Sequence, residues 1–336
     1  MSVRVAINGM GRIGRLTLRA ATESKRNDLE VVAVNNRSGI TTAAHLLKYD
    51  SVHGPFPGDV SVNGDKFDVG AGPIRVFEES APEDIDWAAE GVDVVLECTG
   101  QFKDSESCQA HIDAGASKVL ISAPGKNVDR TVVYGVNHEE LAANDNVVSN
   151  ASCTTNCLAP VAKVLHDFCG IEQGFMTTIH AYTSDQRILD NSHKDLRRAR
   201  AANLSLIPTS TGAARALGEV LPELAGKLDG TAIRVPTPNV SLVDLVITPS
   251  RAVSADDVNA AMKAAAEGPM NGVLEFCDLP LVSSDFNHHP ASAILDASQT
   301  AVVDGGLVRV AAWYDNEWGY SCRMNDTAVF MGNLKG

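Results

Sequence analysis

The chain has 336 residues, and its 28 Lys and Arg against 42 Asp and Glu leave a formal net charge of −14 with histidines neutral. Hydrophobic residues make up 44% and charged residues 21%, a mix that excludes a disordered, fibrous or collagen-like protein and allows a large core, best divided over two domains. Such an acidic chain argues against nucleic acid or an acidic membrane surface as a partner, because either requires a sustained basic face, so any anionic ligand needs a local basic island. No apolar run approaches the ~18 residues of a membrane span, and the N-terminus enters an apolar segment without a secretory leader. Seven Cys, at 98, 108, 153, 157, 169, 277 and 322, lack paired CxxC spacing. They indicate neither a disulfide framework nor a metal site, and the chain reads as cytoplasmic.

In chain order, short β-branched runs at Val3–Ile7, Val31–Val34, Val92–Leu96, Val119–Ser122 and Val147–Ser149 alternate with helical stretches. That alternation predicts a parallel sheet with crossover helices. Between Ser51 and Ser80 the text VSVNGDKFDVG predicts a β-hairpin inserted at an edge. After residue 151 a helical segment runs to about Phe168, with a kink predicted at Pro160. Strand-like runs follow at Met176–Ala181, Thr231–Arg234, Ser241–Thr248 and Val308–Tyr314, with helices near Ser210–Leu221 and Ala255–Glu267. The longer separations predict a mixed or antiparallel sheet covered by helices on one face.

Directly after the first strand stands NGMGRIGR, with Gly9, Gly11 and Gly14 in GxGxxG spacing before an amphipathic helix. In that context the first glycine makes a tight turn, the second admits a pyrophosphate to the backbone, and the third packs helix on strand. About 20 residues further on, an acidic residue normally grips the ribose 2′-OH of NAD. Asn35 and Asn36 stand there instead, followed by Arg37 and Ser38. These neutral and cationic donors suit a 2′-phosphate, so NADP is acceptable; alternatively Asn36 bonds the 2′-OH of NAD and Arg37 points to solvent.

In SNASCTTNCLAP, residues 149 to 160, Ser152 to Asn156 read as a helix start and put Cys153 at its N-terminus. The dipole and free N–H groups there stabilise a thiolate and an oxyanion, although a buried inert thiol is the plain alternative. Cys157 reads as a packing neighbour. His180 closes the run MTTIH in the same half, where an imidazole could activate the sulfur or be merely structural. From Arg187 to Arg200 a basic island holds Arg187, Lys194, Arg197, Arg198 and Arg200 against Asp190 and Asp195. It fits phosphate recognition or a salt-bridged subunit contact. TSTGAA, Thr209 to Ala214, opens a helix as an anion site or an ordinary cap, and Arg234 is the one charge in TAIRV, for an anion or for a buried pair.

In this order NGMGRIGR, SNASCTTNC, LRRARAA, PTSTGAA, RVPTPNVS and WYDNEWGYSCR resemble the phosphorylating glyceraldehyde-3-phosphate dehydrogenases over essentially the whole chain. SCTTNC is specific to them and their erythrose-4-phosphate dehydrogenase relatives. The resemblance implies an α/β fold: a doubly wound (Rossmann) nucleotide domain of residues 1–151 and 317–336, with an α+β catalytic domain of residues 152–316 carrying a mixed or antiparallel sheet. It further implies a homotetramer.

It implies oxidation of D-glyceraldehyde 3-phosphate, with inorganic phosphate, to 1,3-bisphosphoglycerate and reduction of NAD or NADP through a Cys153 thioester. Cys153 is then the nucleophile and His180 its activating base. Thr183 and Arg234 would bind the substrate's C3 phosphate; Ser152, Thr154, Thr211 and Gly212, with Arg198 nearby, would bind inorganic phosphate. Gly9, Gly11, Arg12, Ile13, Gly14, Asn36, Arg37, Thr99 and Ser122 would bind the cofactor, with Asn316 on the nicotinamide carboxamide and Tyr320 near its ring. Asn36 in place of an acid, and Asn191-Ser192 where strongly NAD-selective members carry LeuPro, imply dual or NADP-leaning use. The rival readings are an erythrose-4-phosphate dehydrogenase and a non-enzymatic nucleotide sensor.

Overall fold

In the computed structural model, which describes residues 2–334, the chain divides into two compact units: one runs up to Ser152 and resumes at Tyr320, and the other is Cys153–Gly319. In the first unit the strands are β1 (Val3–Asn8), β2 (Leu29–Asn35), β3 (Ser61–Asn63), β4 (Lys66–Asp68), β5 (Pro73–Phe77), β6 (Val94–Glu97), β7 (Lys118–Ile121), β8 (Arg130–Thr131) and β9 (Val147–Ser149). They form one sheet in the order β3-β4-β5-β2-β1-β6-β7-β9-β8, parallel from β5 onward. Helices α1 (Arg12–Glu23), α2 (Ile40–Lys48) and α3 (Ser105–Asp113) lie in the connections. β6 and β7 are buried throughout, as the central strands of a parallel sheet usually are.

The segment Ser51–Ser80 is more than an inserted hairpin. β3 and β4 do pair as an antiparallel hairpin at the sheet edge, but β5 lies parallel beside β2 as a member of the main sheet. Its proline is the first strand residue, where no ladder donor is lost.

The second unit begins with α4 (Cys153–Cys169), which buries 12 of its 17 residues and runs through Pro160. Its strands are β10 (Gln173–Ala181), β11 (Ile207–Ser210), β12 (Leu228–Val235), β13 (Ser241–Thr248), β14 (Leu274–Cys277), β15 (Ala293–Asp296), β16 (Ala301–Val303) and β17 (Leu307–Tyr314). The sheet order is β11-β12-β10-β13-β17-β15-β14, with β16 on β17, and it is mixed: β10/β12 and β14/β15 are parallel, the rest antiparallel. Helices α5 (Ala213–Val220) and α6 (Ala255–Glu267) contact α4. Along β13, Ser241, Val243, Leu245 and Ile247 are buried while the residues between them are half-buried, so one face takes the helices. Each fully buried Leu, Ile or Val contributes about 1.5–3 kcal/mol.

Ser210, expected to start a helix, instead ends β11. That strand carries Pro208 and is an edge strand, where a proline is tolerated. The last helix, α7 (Trp318–Asn333), packs closely enough on β1 that a methyl at Gly332 would sit 2.3 Å from Val3. Its Asn325 donates to the Thr17 carbonyl of α1 at 3.0 Å.

Candidate active site

The turn leading to Cys153 is strained and held from both sides. Ala151 is fully buried with φ +54°, a left-handed conformation that costs an L-residue roughly 1–2 kcal/mol. Its N–H donates to Ser149 Oγ at 3.1 Å, and its carbonyl accepts from the Tyr320 hydroxyl at 3.0 Å. The chain then turns directly into α4, whose first residue is Cys153.

Cys153 Sγ lies 3.5 Å from Nε2 of His180, which β10 presents on its buried face. Opposite His180, in the parallel register of β10 with β12, stands Arg234. Its Nη1 is 2.7 Å from His180 Nδ1 and 3.0 Å from the Ala181 carbonyl, which is itself 2.7 Å from Nδ1. A guanidinium only donates, so the contact with Arg234 makes Nδ1 an acceptor and leaves the imidazole hydrogen on Nε2, toward the sulfur. Donation from Nδ1 to the Ala181 carbonyl instead frees Nε2 to take the thiol proton. The two tautomers therefore share one geometry.

Burial, then the charge of Arg234, lowers His180 to about 3, so the ring is neutral near pH 7. Burial raises the Cys153 thiol, while Arg234, the Thr154 hydroxyl and the N–H groups at the start of α4 pull it back. The cation that supports a thiolate here is thus Arg234, and His180 stands between them as a neutral proton carrier. Cys157 is buried and its thiol pushed well up, which suits packing.

Beneath this group lies Tyr314. Its hydroxyl is 2.9 Å from both Thr154 Oγ1 and Thr178 Oγ1, and its ring meets His180 edge-on at 5.9 Å. Burial raises its phenol far above the ordinary value, so it stays protonated. The Thr154 hydroxyl thus links Tyr314 to the Cys153 sulfur, with which it also hydrogen-bonds. Sequence reasoning missed Tyr314, which reads as the end of an apolar strand.

Asn316 is buried, and its Oδ1 accepts from Ser241 Oγ at 2.8 Å; Ser241 Oγ accepts in turn from the N–H of Ala181 at 3.0 Å. The strand end carrying His180 is thereby joined to Asn316 through one hydroxyl. Ser241 follows Val240, a buried β-branched residue at φ +66°.

Thr183 lies in the turn after β10, where its N–H donates to Gln186 Oε1 at 2.8 Å. The basic island is largely paired within itself: Arg200 with Asp190 at 2.9 Å, and Arg198 with Asp185 at 2.5 Å and with Thr209 Oγ1 at 3.0 Å. Ser192 is exposed, and its carbonyl accepts from Arg187. Thr211 Oγ1 accepts from the N–H of Ala213, the first residue of α5, and Gly212, its N-cap, is exposed.

In the first unit a cleft of about 360 Å³ opens at the carboxyl ends of the parallel strands, lined by Gly9, Gly11, Asn36, Arg37, Ser38 and Thr99 among others. Gly9 has φ +99°, and a methyl there would fall 2.8 Å from the Thr99 nitrogen; one on Gly14 would fall 2.1 Å from the Gly9 carbonyl. Gly11 has no neighbour within 4 Å of such a methyl, so the backbone is open to a ligand there. Helix α1 starts with no side-chain cap and no acid in its first turn, leaving its N–H groups for an anion.

Arg12 and Ile13 are outside the lining. Although burial opposes it, Arg12 and the N–H groups of Val52 and His53 hold Asp50 at about 2, and Arg12 is paired with that carboxylate. Asn36, half-buried in the lining, donates to the Gly39 carbonyl at 3.0 Å, whereas Arg37 is exposed. Ser122, also outside the lining, donates its N–H to the Glu97 carbonyl at 3.0 Å.

Among the described residues no helix is long and apolar enough to cross a membrane. Residues 3–105 match the family profile for the glyceraldehyde 3-phosphate dehydrogenase NAD binding domain, and residues 152–316 match that for the C-terminal domain of the same family. Over 99% of its length the chain is 61% identical to the glyceraldehyde-3-phosphate dehydrogenases of Xanthobacter flavus and of Cereibacter sphaeroides, each covered completely. It is 56% identical to that of Geobacillus stearothermophilus, over 99% of both chains. With a GxGxxG cleft in one unit and a Cys153–His180 pair in the other, this chain belongs to the glyceraldehyde 3-phosphate dehydrogenase family and uses NAD.

Proposed function

We propose that the protein oxidises D-glyceraldehyde 3-phosphate, with inorganic phosphate, to 1,3-bisphosphoglycerate through a thioester on Cys153. The observation that carries this is the 3.5 Å approach of Cys153 Sγ to His180 Nε2 with Arg234 directly behind the imidazole. The thiolate attacks the aldehyde carbon and forms a C–S bond. The resulting oxyanion meets the Nε2 hydrogen and the N–H groups at the start of α4. NAD, held by the glycine turn and the open end of α1, supplies the hydride acceptor. His180 Nε2, having taken the thiol proton, passes it to that oxyanion to give the hemithioacetal hydroxyl, takes it back as the carbon is oxidised, and releases it to solvent. A phosphate oxygen then attacks the thioester carbonyl, the C–S bond breaks, and the thiolate is restored as the acyl phosphate departs.

Thr183 and Arg234 would bind the C3 phosphate. Ser152, Thr154, Thr211 and Gly212 would bind inorganic phosphate, with Arg198 alongside. Asn316 would hold the nicotinamide carboxamide. For the cofactor, the absence of an acid at Asn36 and the exposure of Arg37 at the cleft support use of NADP as well as NAD, with Ser192 as a second tolerant position. Exposed Ile188, Leu189, Leu196, Leu204 and Leu206 around the basic island support a subunit interface and a homotetramer. Seven free thiols suit the cytoplasm. The relatives' names favour glyceraldehyde 3-phosphate over erythrose 4-phosphate.

The test is turnover of each aldehyde with and without phosphate, for the native protein and Cys153→Ser. NAD binding should survive the substitution while phosphate-dependent reduction of NAD disappears; near-native turnover by the variant would end the thioester reading. Side-by-side kinetics with NAD and NADP should show Asn36→Asp moving preference toward NAD.

A further inference from the structure

Under the nucleotide cleft lies a buried polar chain with no part in the thiol chemistry. Glu97, at the end of β6, is 1% exposed, and His111, on α3, is fully buried. Both oxygens of Glu97 are committed to donors. Oε1 takes the N–H of Thr99 at 2.8 Å and the Thr99 hydroxyl; Oε2 takes Asn8 Nδ2 at 2.6 Å and His111 Nε2 at 3.2 Å. Trp87 Nε1, which can only donate, lies 3.1 Å from His111 Nδ1. That contact makes Nδ1 the acceptor and fixes the hydrogen on Nε2, facing Glu97. Asn8 receives Asn35 Nδ2 on its own Oδ1 at 2.8 Å, and Asn35 Oδ1 takes the N–H of Glu79 at 2.9 Å.

The ends of β1, β2 and β6 are thus tied through one carboxylate. Two of the tied pieces are the walls of the cleft: Asn8 precedes Gly9, and Thr99 is the residue against which Gly9 is packed too tightly for a side chain. We propose that Glu97, oriented by His111 and Trp87, is a positioning residue for the cofactor, setting the distance between the Gly9 turn and the Thr99 turn and so the affinity for the dinucleotide. This rests on the reading of that cleft as the NAD site. A carboxylate is required because all four partners donate; an amide would bring a fifth donor among them.

The experiment measures NAD dissociation constants by calorimetry, together with kcat, both KM values and melting temperature, on the full chain. His111→Phe removes the Nε2 donor and should weaken NAD binding about tenfold while kcat at saturating NAD and the aldehyde KM stay put. His111→Gln can still donate to Glu97 and accept from Trp87, and should restore native affinity. Glu97→Gln should be at least as weak as His111→Phe; if it does not fold, the His111 pair still decides. Gly11→Val tests the cleft itself, since nothing in the protein stands in the way of that side chain but a nucleotide would. Loss of binding in Gly11→Val with native affinity in His111→Phe overturns the proposal and leaves the cleft intact. Native affinity in Gly11→Val overturns the cleft reading. A lowered melting temperature in His111→Phe with unchanged NAD affinity reduces the chain to a structural tie and likewise overturns the proposal.

Discussion

His180 and Arg234 face each other across neighbouring parallel strands, with the guanidinium Nη1 2.7 Å from the imidazole Nδ1. A carboxylate in that place would raise the imidazole pKa and favour a cationic ring. Arginine, added to burial, lowers it to about 3 and keeps the ring a neutral base.

Replacing Arg234 by Leu removes the second of those causes. The His180 pKa should rise toward its ordinary 6.5, so the acidic limb of the kcat/KM profile should move to higher pH. The Cys153 thiol loses the cation that lowers its pKa and should require more alkaline solution to ionise. Overall kcat/KM should fall at least about thirtyfold. A pH–rate profile of the variant that superimposes on the native one would contradict the assignment.

The same depressed pKa sets a stability window. The unfolded chain protonates His180 as pH falls through 6.5, whereas the folded protein resists until about 3, so folding stability is lost over that interval. Between pH 6.5 and 4.5 this one group accounts for about 2 to 3 kcal/mol. His180→Gln should therefore lose less melting temperature than the native protein when taken from pH 7 to pH 4.5, as differential scanning calorimetry would reveal.

Tyr314→Phe leaves the Thr154 and Thr178 hydroxyls without their shared partner in the core. The expected loss is about 1 to 3 kcal/mol, seen as a lower urea midpoint with an unchanged slope. An unaltered midpoint would mean the two threonines satisfy each other.

Ser241→Ala removes the group that fixes the Asn316 amide by its oxygen. NAD binding should weaken about tenfold, while ADP-ribose, which lacks the nicotinamide, should bind as before. Equal weakening of both ligands would put the effect on the fold at large.

The sequence was most readable where a local pattern and its physical cause coincide. Gly9 and Gly14 announce their spacing, and the structure gives each a cause, a positive φ in one and contact with the Gly9 carbonyl in the other. β10, β12, β13 and β17 carry the long apolar runs and were foreseen, whereas β5, β11 and β14 to β16 are short, two of them begun or interrupted by proline. What could not be read were the partnerships made across the sheets. His180 and Arg234 are 54 residues apart and meet only through strand register; Tyr314 reaches Thr154 over 160 residues. Glu97 follows the run Val92–Leu96 with no motif to mark it, and only the fold reveals that four donors converge on it. The basic island was legible as a cluster of charges, but its internal pairing with Asp185 and Asp190 depends on a loop conformation that composition does not encode.

Two residues without glycine's freedom, Ala151 and Val240, sit in left-handed backbone immediately before the segments that deliver Cys153 and Ser241. Asparagine or glycine would rest there with less conformational penalty. A laboratory lineage bred solely for heat resistance would find those replacements early, and its members should outlast the parent in a hot tube while turning over more slowly, because a relaxed hinge no longer aims what it carries.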